Sequence, residues 1–157
     1  MRIGIGFDIH RLVAGRPFII AGVKIPFDRG PLGHSDGDVL CHAMADAMLG
    51  AMALGDIGLH FPDTDPRWKG IPGLQILKTV RQKVEKGGWK VKQIDAILLC
   101  EKPSLSPFRE EIQKNICRAL KIARSQTGIK FKTAEGLAEI GKSRAISSFA
   151  VVNLEPK

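Results

Sequence analysis

The sequence predicts an α+β domain, in which a mixed sheet of four to five strands carries helices on one face and a small β-hairpin beside it. Three observations predict this fold. Residues 2–10 alternate between two kinds of side chain, residues 36–54 form an alanine-rich helical segment, and two more helical segments alternate with three later apolar runs. The 157 residues show no repeat or linker, so we expect one domain over residues 1–157.

The first strand is predicted over residues 2–10, because alternate side chains of a strand point to opposite faces. One face carries Ile3, Ile5, Phe7 and Ile9, and the other carries Gly4, Gly6, Asp8 and His10. Residues 17–25 are typical of a hairpin with its turn near Ala21-Gly22, and residues 28–33 are predicted to form a loop.

A helix is predicted over residues 36–54 and ends before Gly55. Its start resembles a capping box, with Ser35 followed by Asp38. The small side chains along it allow close approach of a neighbouring element. A loop is predicted over residues 56–69.

The second half of the chain alternates helices and strands. We predict helices over 72–87 and 105–124 and strands over 89–101, 129–134 and 145–155. In the helix over 72–87, the residues Leu74, Leu77, Val80 and Val84 are predicted to be buried.

Composition excludes several classes of function. The net charge of +8 suits an anionic ligand, but the basic residues are scattered and lack interleaved aromatics, so we expect no nucleic-acid binding. No apolar run approaches the ~20 residues that span a bilayer, and we expect no membrane association. The spacing of Cys41, Cys100 and Cys117 fits neither a disulfide framework nor a metal-binding pair, which favours reduced thiols.

Asp8, His10 and His42 are candidate metal ligands. Asp8 and His10 share one face of the first strand, and His42 lies on the helix that follows. One carboxylate and two imidazoles are the ligand set of a catalytic zinc site with an open position. The alternative from spacing alone is a polar strand end and a buried histidine.

Two aspartates flank His42 on the same helical stripe, at i−4 and i+4. Asp38 is interpreted either as a helix cap or as a residue that orients a ligand histidine. Asp46 is interpreted either as a buried polar residue with a structural role or as a residue that orients a metal ligand.

Further polar residues suit a phosphorylated ligand. His34 and Ser35 precede a helix, where free amides bind phosphate, although a solvated loop histidine fits as well. Residues 56–65 are interpreted as a mobile lid or as a turn-rich loop. Glu135 follows a strand and can hold Mg²⁺ if a substrate supplies more ligands; otherwise it is a surface residue.

Three motifs together resemble the 2-C-methyl-D-erythritol 2,4-cyclodiphosphate synthase family of the non-mevalonate route to isoprenoid precursors. They are Gly4-x-Gly6-x-Asp8-x-His10, His34-Ser35-Asp36-Gly37-Asp38 with His42, and Gly55-Asp56-Ile57-Gly58-x-x-Phe61-Pro62-Asp63-Thr64-Asp65-Pro66. The match is dense over residues 4–66 and looser after residue 100, but length and element order agree nearly throughout.

The resemblance implies a homotrimer with active sites between adjacent subunits. It implies one Zn²⁺ per subunit on Asp8, His10 and His42, and Mg²⁺ or Mn²⁺ on Glu135 with the substrate diphosphate. The implied substrate is 4-diphosphocytidyl-2-C-methyl-D-erythritol 2-phosphate. It is cyclised to 2-C-methyl-D-erythritol 2,4-cyclodiphosphate with release of CMP, which makes the family member a metal-dependent lyase.

The resemblance also implies roles for individual residues. His34 and Thr133 are implied as catalytic donors to the reacting phosphate, Asp56 with the 61–65 segment as the methylerythritol site, and the 100–106 segment as the cytidine site. The complete implied substrate set is Asp8, Ile9, His10, His34, Ser35, Asp56, Ile57, Gly58, Phe61, Pro62, Asp63, Thr64, Asp65, Cys100, Glu101, Lys102, Pro103, Ser104, Leu105, Ser106, Lys132, Thr133, Ala134, Glu135, Glu139 and Lys142.

The chain departs from the family pattern at four positions. Ser104 stands where a lysine is usual, Ala134 where a second threonine is usual, Glu139 where an aromatic is usual and Lys142 where an arginine is usual. The last two line the family's trimer axis, where an isoprenoid diphosphate can bind. Because a carboxylate in an apolar channel is costly unless it is paired, we expect no such binding here. Lys142 can pair with Glu139, but it cannot form the two-pronged contact of an arginine.

Two other functions compete with cyclisation at this stage. The ligand set also suits a zinc phosphohydrolase, and the charge of +8 also suits a non-catalytic basic binding protein. The strand that begins at Arg2 favours the bacterial cytosol over the plastid stroma as the location.

Overall fold

A computed structural model describes all residues 1–157. Its strands are β1 (Arg2–Ala14), β2 (Phe18–Ile20), β3 (Val23–Ile25), β4 (Arg29–Pro31), β5 (Trp89–Leu99), β6 (Thr127–Lys132) and β7 (Ala145–Pro156). Its α-helices are α1 (Val39–Ala51), α2 (Ile57–His60), α3 (Gly73–Lys86), α4 (Arg109–Leu120) and α5 (Ala138–Gly141). Three short 3₁₀ turns cover Pro66–Trp68, Ser106–Phe108 and Arg124–Gln126.

The main sheet has five strands in the order β4-β1-β7-β5-β6. β5 and β6 are parallel, whereas the other neighbours are antiparallel, so the sheet is mixed as predicted. β2 and β3 form the predicted hairpin. The α+β architecture is therefore confirmed.

Helix α1 packs directly on β1 and β7 because β1 lacks side chains at two positions. A Cβ on Gly4 would overlap the backbone of Ala47, and one on Gly6 would overlap the backbone of Ala43. Only glycine permits this approach of strand and helix backbones. The contact fixes the distance between the polar end of β1 and the side chains of α1.

The opposite face of the sheet is bare within one chain. Ile3, Ile5, Phe7 and Ile9 expose 46 to 71% of their surface. Phe149 and Val151 of β7 lie beside them, and the rings of Phe7 and Phe149 are 4.6 Å apart. An apolar area of this kind marks an interaction surface.

The predicted element boundaries needed several corrections. Residues 28–33 include the short strand β4, which pairs with the far end of β1 rather than forming only a loop. The predicted loop over 56–69 contains α2 and a 3₁₀ turn, which the side chains of Asp56 and Asp65 cap. Helix α5 was not predicted, because four residues show no helical period.

Two of the helices are shorter than predicted. The first helix begins at Val39 rather than at residue 36, because Asp38 is its cap. The helix predicted over 105–124 ends at Leu120, where Lys121 adopts a left-handed conformation. In α3, Leu77, Val80 and Val84 are buried as predicted and Leu74 is half-buried. No helix has both the length and the apolar character needed to cross a bilayer.

Candidate active site

The predicted metal ligands meet where β1 passes α1. One ligand atom from each of Asp8, His10 and His42 lies within 4.8 Å of the others. The Asp8 Oδ2 atom is 3.0 Å from His10 Nε2 and 2.9 Å from His42 Nδ1. The strand places Asp8 and His10 on the face that α1 covers, and α1 presents His42 to them.

The second nitrogen of each histidine ring is also engaged. His10 Nδ1 lies 2.7 Å from the carbonyl oxygen of Leu32, and His42 Nε2 lies 3.3 Å from Ser35 Oγ. A carbonyl only accepts, so Nδ1 of His10 carries a proton and Nε2 is the nitrogen that faces Asp8. Outer contacts of this kind fix the orientation of metal-binding imidazoles.

The three groups strongly perturb one another. Burial alone raises the pKa of Asp8, but the hydrogen bonds and charges of His10 and His42 outweigh it and hold that pKa well below the usual range. For His10, burial lowers the pKa, but the hydrogen bond and charge of Asp8 outweigh it and raise that pKa. Asp8 is thus held ionised between two imidazole nitrogens, an arrangement that suits a cation.

The donor set fits zinc. One carboxylate oxygen and two imidazole nitrogens are ligands that Zn²⁺ accepts, and three protein ligands leave a position for substrate. His10 Nε2 is buried and faces only Asp8 Oδ2, at 3.0 Å, as expected for two atoms that serve as ligands of one ion.

The structure decides the alternatives for Asp38 in favour of the cap. Its Oδ1 accepts from the amide of Cys41 at 3.1 Å and its Oδ2 accepts from the amide of Ala21. Both oxygens are therefore committed to backbone donors, and neither orients a ligand ring. Full burial and the nearby Asp36 raise the pKa of Asp38 to about 6.

Asp46 connects α1 to the segment that follows it. Its Oδ1 accepts from the amide of Ile57 at 2.8 Å, so its contact is with the start of α2 rather than with a ligand side chain. Burial raises its pKa, and repulsion from Asp56 and Asp8 adds to that effect.

A cavity of about 380 Å³ opens beside the cluster. Its walls combine the ligand cluster with two polar residues, His34 and Ser35, and with an apolar side formed by Leu32, Ile57, Phe61, Trp68, Ile71 and Ile76. The His34 Nε2 atom is buried and has no hydrogen-bond partner in the chain. The cavity thus offers an open donor next to a metal site.

Four apolar residues of this wall belong to none of the sequence motifs: Leu32, Trp68, Ile71 and Ile76. Trp68 gave the only usable signal, since it is one of two tryptophans in a chain poor in aromatics. Its ring packs edge-on against Phe61, with centroids 5.1 Å apart.

The predicted methylerythritol segment reaches the cavity only in part. Phe61 and Asp63 line it, as does Ile57. Asp56 instead caps α2 through the amide of Leu59, and Asp65 binds Arg67, whose hydrogen bonds lower the pKa of that carboxyl. Gly58, Pro62 and Thr64 do not line the cavity.

A second group of predicted residues lies where β5 and β6 end, and none of it lines this cavity. Glu101 Oε2 accepts from the amide of Ala134 at 3.0 Å, which joins the 100–106 segment to the 133–135 segment. Thr133 Oγ1 donates to Glu135 Oε1 at 2.5 Å. One chain therefore presents two separate clusters of predicted site residues.

Neither of the two residues predicted near a trimer axis lines the cavity beside the metal cluster, although Glu139 lines a second cavity together with His10. Glu139 pairs with Arg144 at 3.6 Å rather than with Lys142, which makes no ion pair. Arg144 lies two residues beyond Lys142, and no motif in the sequence includes it.

The fold and the site define a class: an α+β protein with a three-ligand metal site beside a ligand cavity. The profile of the YgbB family matches residues 1–155. A Treponema denticola protein named 2-C-methyl-D-erythritol 2,4-cyclodiphosphate synthase is 47% identical over 150 residues, which cover 96% of this chain and 93% of that protein. The chain belongs to the YgbB family.

Solved structures agree with this assignment. The CDP-bound form of a 2C-methyl-D-erythritol-2,4-cyclodiphosphate synthase superposes with a TM-score of 0.91 at 43% identity, covering 98% of this chain and 100% of that one. A Plasmodium falciparum protein in complex with CDP superposes with a TM-score of 0.87 at 35% identity, covering 99% and 96%. The resemblance found in the sequence is confirmed.

Proposed function

We propose that this protein is a metal-dependent lyase of the non-mevalonate pathway. It converts 4-diphosphocytidyl-2-C-methyl-D-erythritol 2-phosphate to 2-C-methyl-D-erythritol 2,4-cyclodiphosphate and CMP. The single observation that carries this proposal is the Asp8–His10–His42 cluster beside a cavity with an unpaired His34 donor, in a chain whose relatives bear this activity in their names.

The reaction exchanges one phosphorus–oxygen bond for another. An oxygen of the 2-phosphate attacks the β-phosphorus of the diphosphate, and the bond from that phosphorus to the CMP oxygen breaks. The electron pair of the broken bond leaves with CMP. The attacking phosphate is already ionised, so no general base is required, and the task of the protein is to align and neutralise two anions.

Asp8, His10 and His42 hold one Zn²⁺ per subunit in this proposal, and Glu135 holds Mg²⁺ or Mn²⁺ together with the substrate diphosphate. The chemistry that such cations supply is charge neutralisation and in-line alignment of the phosphates. His34 and Thr133 donate to the charge that develops at the reacting phosphate.

The remaining side chains select the substrate. Asp63 and the apolar wall around Phe61 bound the space next to the metal cluster, which suits the compact methylerythritol part. The 100–106 segment supplies the cytidine contacts, largely through its backbone. Ser104 lacks the charge of the family's lysine, so the diphosphate depends more on the metal ions in this chain.

The active unit in this proposal is a homotrimer with sites between subunits. Two features support it: one chain keeps the β5–β6 cluster outside its own metal cavity, and one face of its sheet is apolar and bare. Light scattering tests the proposal, because a trimer of 17.1 kDa chains has a mass of about 51 kDa, three times one chain. A fully active monomer contradicts it.

Phosphorus NMR of the zinc-loaded protein with Mg²⁺ and the diphosphocytidyl substrate tests the reaction. We expect two coupled signals of a cyclic diphosphate together with CMP. Release of inorganic phosphate instead indicates a phosphohydrolase. An unchanged spectrum contradicts both activities and leaves a basic binding protein, for which salt-sensitive nucleic-acid binding is the next measurement.

A further inference from the structure

Arg16, which no motif includes, binds the segment that carries His34 and Ser35. It lies between β1 and β2, and its guanidinium donates three hydrogen bonds to backbone carbonyls. Nε donates to Pro31 at 3.3 Å, and Nη2 donates to Gly33 at 3.0 Å and to Ser35 at 3.2 Å. Arg16 forms no ion pair, so no carboxylate competes for these donors.

The remaining two carbonyls of residues 31–35 are bound as well. Leu32 O accepts from the ring of His10 at 2.7 Å, and His34 O accepts from the amide of Gly70 at 2.8 Å. All five successive carbonyl oxygens thus have a donor, and Arg16 supplies the donors for three of them.

The amides of the same segment are free. No acceptor of the chain binds the amides of Gly33, His34 and Ser35, although these three residues line the cavity beside the metal cluster. His34 Nε2 is buried there without a partner. Successive free amides with a nearby ring donor are the components of an anion-binding concavity.

We propose that Arg16 is a positioning residue for substrate phosphate. It holds the carbonyl oxygens of Pro31, Gly33 and Ser35 away from the ligand, because these oxygens would repel a phosphate. The amides of residues 33–35 and the His34 ring are then left to bind one. The positive charge of Arg16 adds a favourable field close to the same anion. This inference rests on the proposed function, since a phosphorylated substrate is its ligand.

The chemistry of arginine explains why lysine is not equivalent at this position. A guanidinium is planar and presents several donors in a fixed fork, whereas an ammonium is a point charge on a flexible stem. Arg16→Lys therefore retains the charge but loses the geometry that spans three carbonyls. Arg16→Ala loses both.

Steady-state kinetics of Arg16→Ala and Arg16→Lys test the inference. We expect KM for the diphosphocytidyl substrate to rise about tenfold in Arg16→Ala and less in Arg16→Lys, the scale of one lost charged hydrogen bond. We expect kcat to change less than KM. Arg124→Ala is the matched control, because Arg124 binds Gln113 and Glu110 on the surface, away from the cavity.

Two further measurements distinguish a positioning role of Arg16 from a purely structural role. Zinc content should remain one per chain in Arg16→Ala, since the contact of His10 with Leu32 does not involve Arg16. Millimolar guanidinium should restore much of the lost activity of Arg16→Ala and none in the wild type. A KM within twofold of wild type, loss of zinc together with activity, or failure of guanidinium rescue overturns the inference.

The inference also has a test that needs no turnover. Calorimetric binding of inorganic pyrophosphate to the zinc-loaded protein should weaken about tenfold in Arg16→Ala. If the wild type binds pyrophosphate in this way but does not cyclise the substrate, the proposed function fails while the role of Arg16 stands. Equal affinity in the two proteins overturns the role of Arg16.

Discussion

The two clusters of predicted site residues are built in different ways. Asp8, His10 and His42 are half-buried or buried and already contact one another, with Asp8 Oδ2 within 3.0 Å of both rings. At the ends of β5 and β6, Glu135 contacts only the hydroxyl of Thr133 and is exposed to solvent. The first cluster is a complete ligand set, whereas the second has one carboxylate.

This difference bears on the two proposed metal sites. Three convergent protein ligands bind zinc without help from substrate. A single exposed carboxylate binds Mg²⁺ only when phosphate oxygens complete the shell. Under the proposed function, we therefore expect the first cluster to bind its metal ion without substrate and the second only together with substrate.

The largest effect on the first cluster is expected from His42→Ala. Removal of one of three ligands should abolish zinc retention and lower turnover about 1,000-fold, because the charge of the phosphates is then not neutralised. Metal analysis and kinetics on the same sample check this. His60→Ala is the control, since that half-buried histidine lies outside the metal cluster and its ring contacts the carbonyl of Leu54. A zinc-free and fully active His42→Ala protein contradicts the proposed role.

Gly6→Ala tests whether the first cluster depends on backbone packing. The added Cβ would overlap the backbone of Ala43 and push α1 from β1, so we expect about 3 kcal/mol less stability and weaker zinc binding. Urea unfolding and zinc titration measure both. Gly50→Ala is the matched control, because its Cβ meets only an ordinary contact with Ile5 and stability should rise slightly.

Glu135→Gln addresses the second cluster alone. We expect turnover to fall about thirtyfold at low Mg²⁺, the loss of one charged ligand, and to recover partly at high Mg²⁺. Zinc content should not change. Kinetics over a range of Mg²⁺ concentrations check this, with the distant Glu155→Gln as control. Simultaneous loss of zinc contradicts the independence of the two clusters.

Glu101→Ala removes the contact that holds the second cluster together. Without its carboxylate the amide of Ala134 loses its acceptor, and we expect the Mg²⁺ concentration for half-maximal turnover to rise about fivefold. Glu101→Gln retains an acceptor oxygen and should be close to wild type. Equal effects of both substitutions argue for a role of the charge instead of the hydrogen bond.

The smallest expected effect is on the pH dependence of stability, through the thiol of Cys100. Burial and the neighbouring Glu101 raise the pKa of this thiol from 9.0 to about 12, and the thiol donates to the carbonyl of Lys102. Above pH 9 the unfolded chain releases this proton while the folded chain keeps it, so stability falls as pH rises. We expect a loss of about 1 kcal/mol between pH 9 and 10. Urea unfolding of Cys100→Ala should show a smaller loss.

Much of the first cluster could be predicted from the sequence. The alternation of residues 2–10 places Asp8 and His10 on one strand face. The glycines at positions 4 and 6 leave space on that face for close approach of another element. His42 follows on a helix with small side chains. Local periodicity and residue type were sufficient because each of these features is determined within a few residues.

The second contact of Asp38 and the role of Asp46 could not be predicted in this way. The cap formed by Asp38 follows from local spacing, but its second contact is with Ala21, which lies 17 residues earlier. Asp46 reaches Ile57, which lies in a segment predicted to be a loop. Short helices such as α2 depend on such tertiary contacts and caps, and they have no periodic signal of their own.

The alternation of β1, the hairpin at Ala21-Gly22 and the chemical types of the candidate metal ligands follow from the sequence alone. Only the tertiary structure decided that β4 pairs with the end of β1, that Glu139 pairs with Arg144, and that Arg16 binds three carbonyls next to His34. The reason is physical: periodicity and capping act between near neighbours, whereas these contacts form only after packing brings distant parts of the chain together.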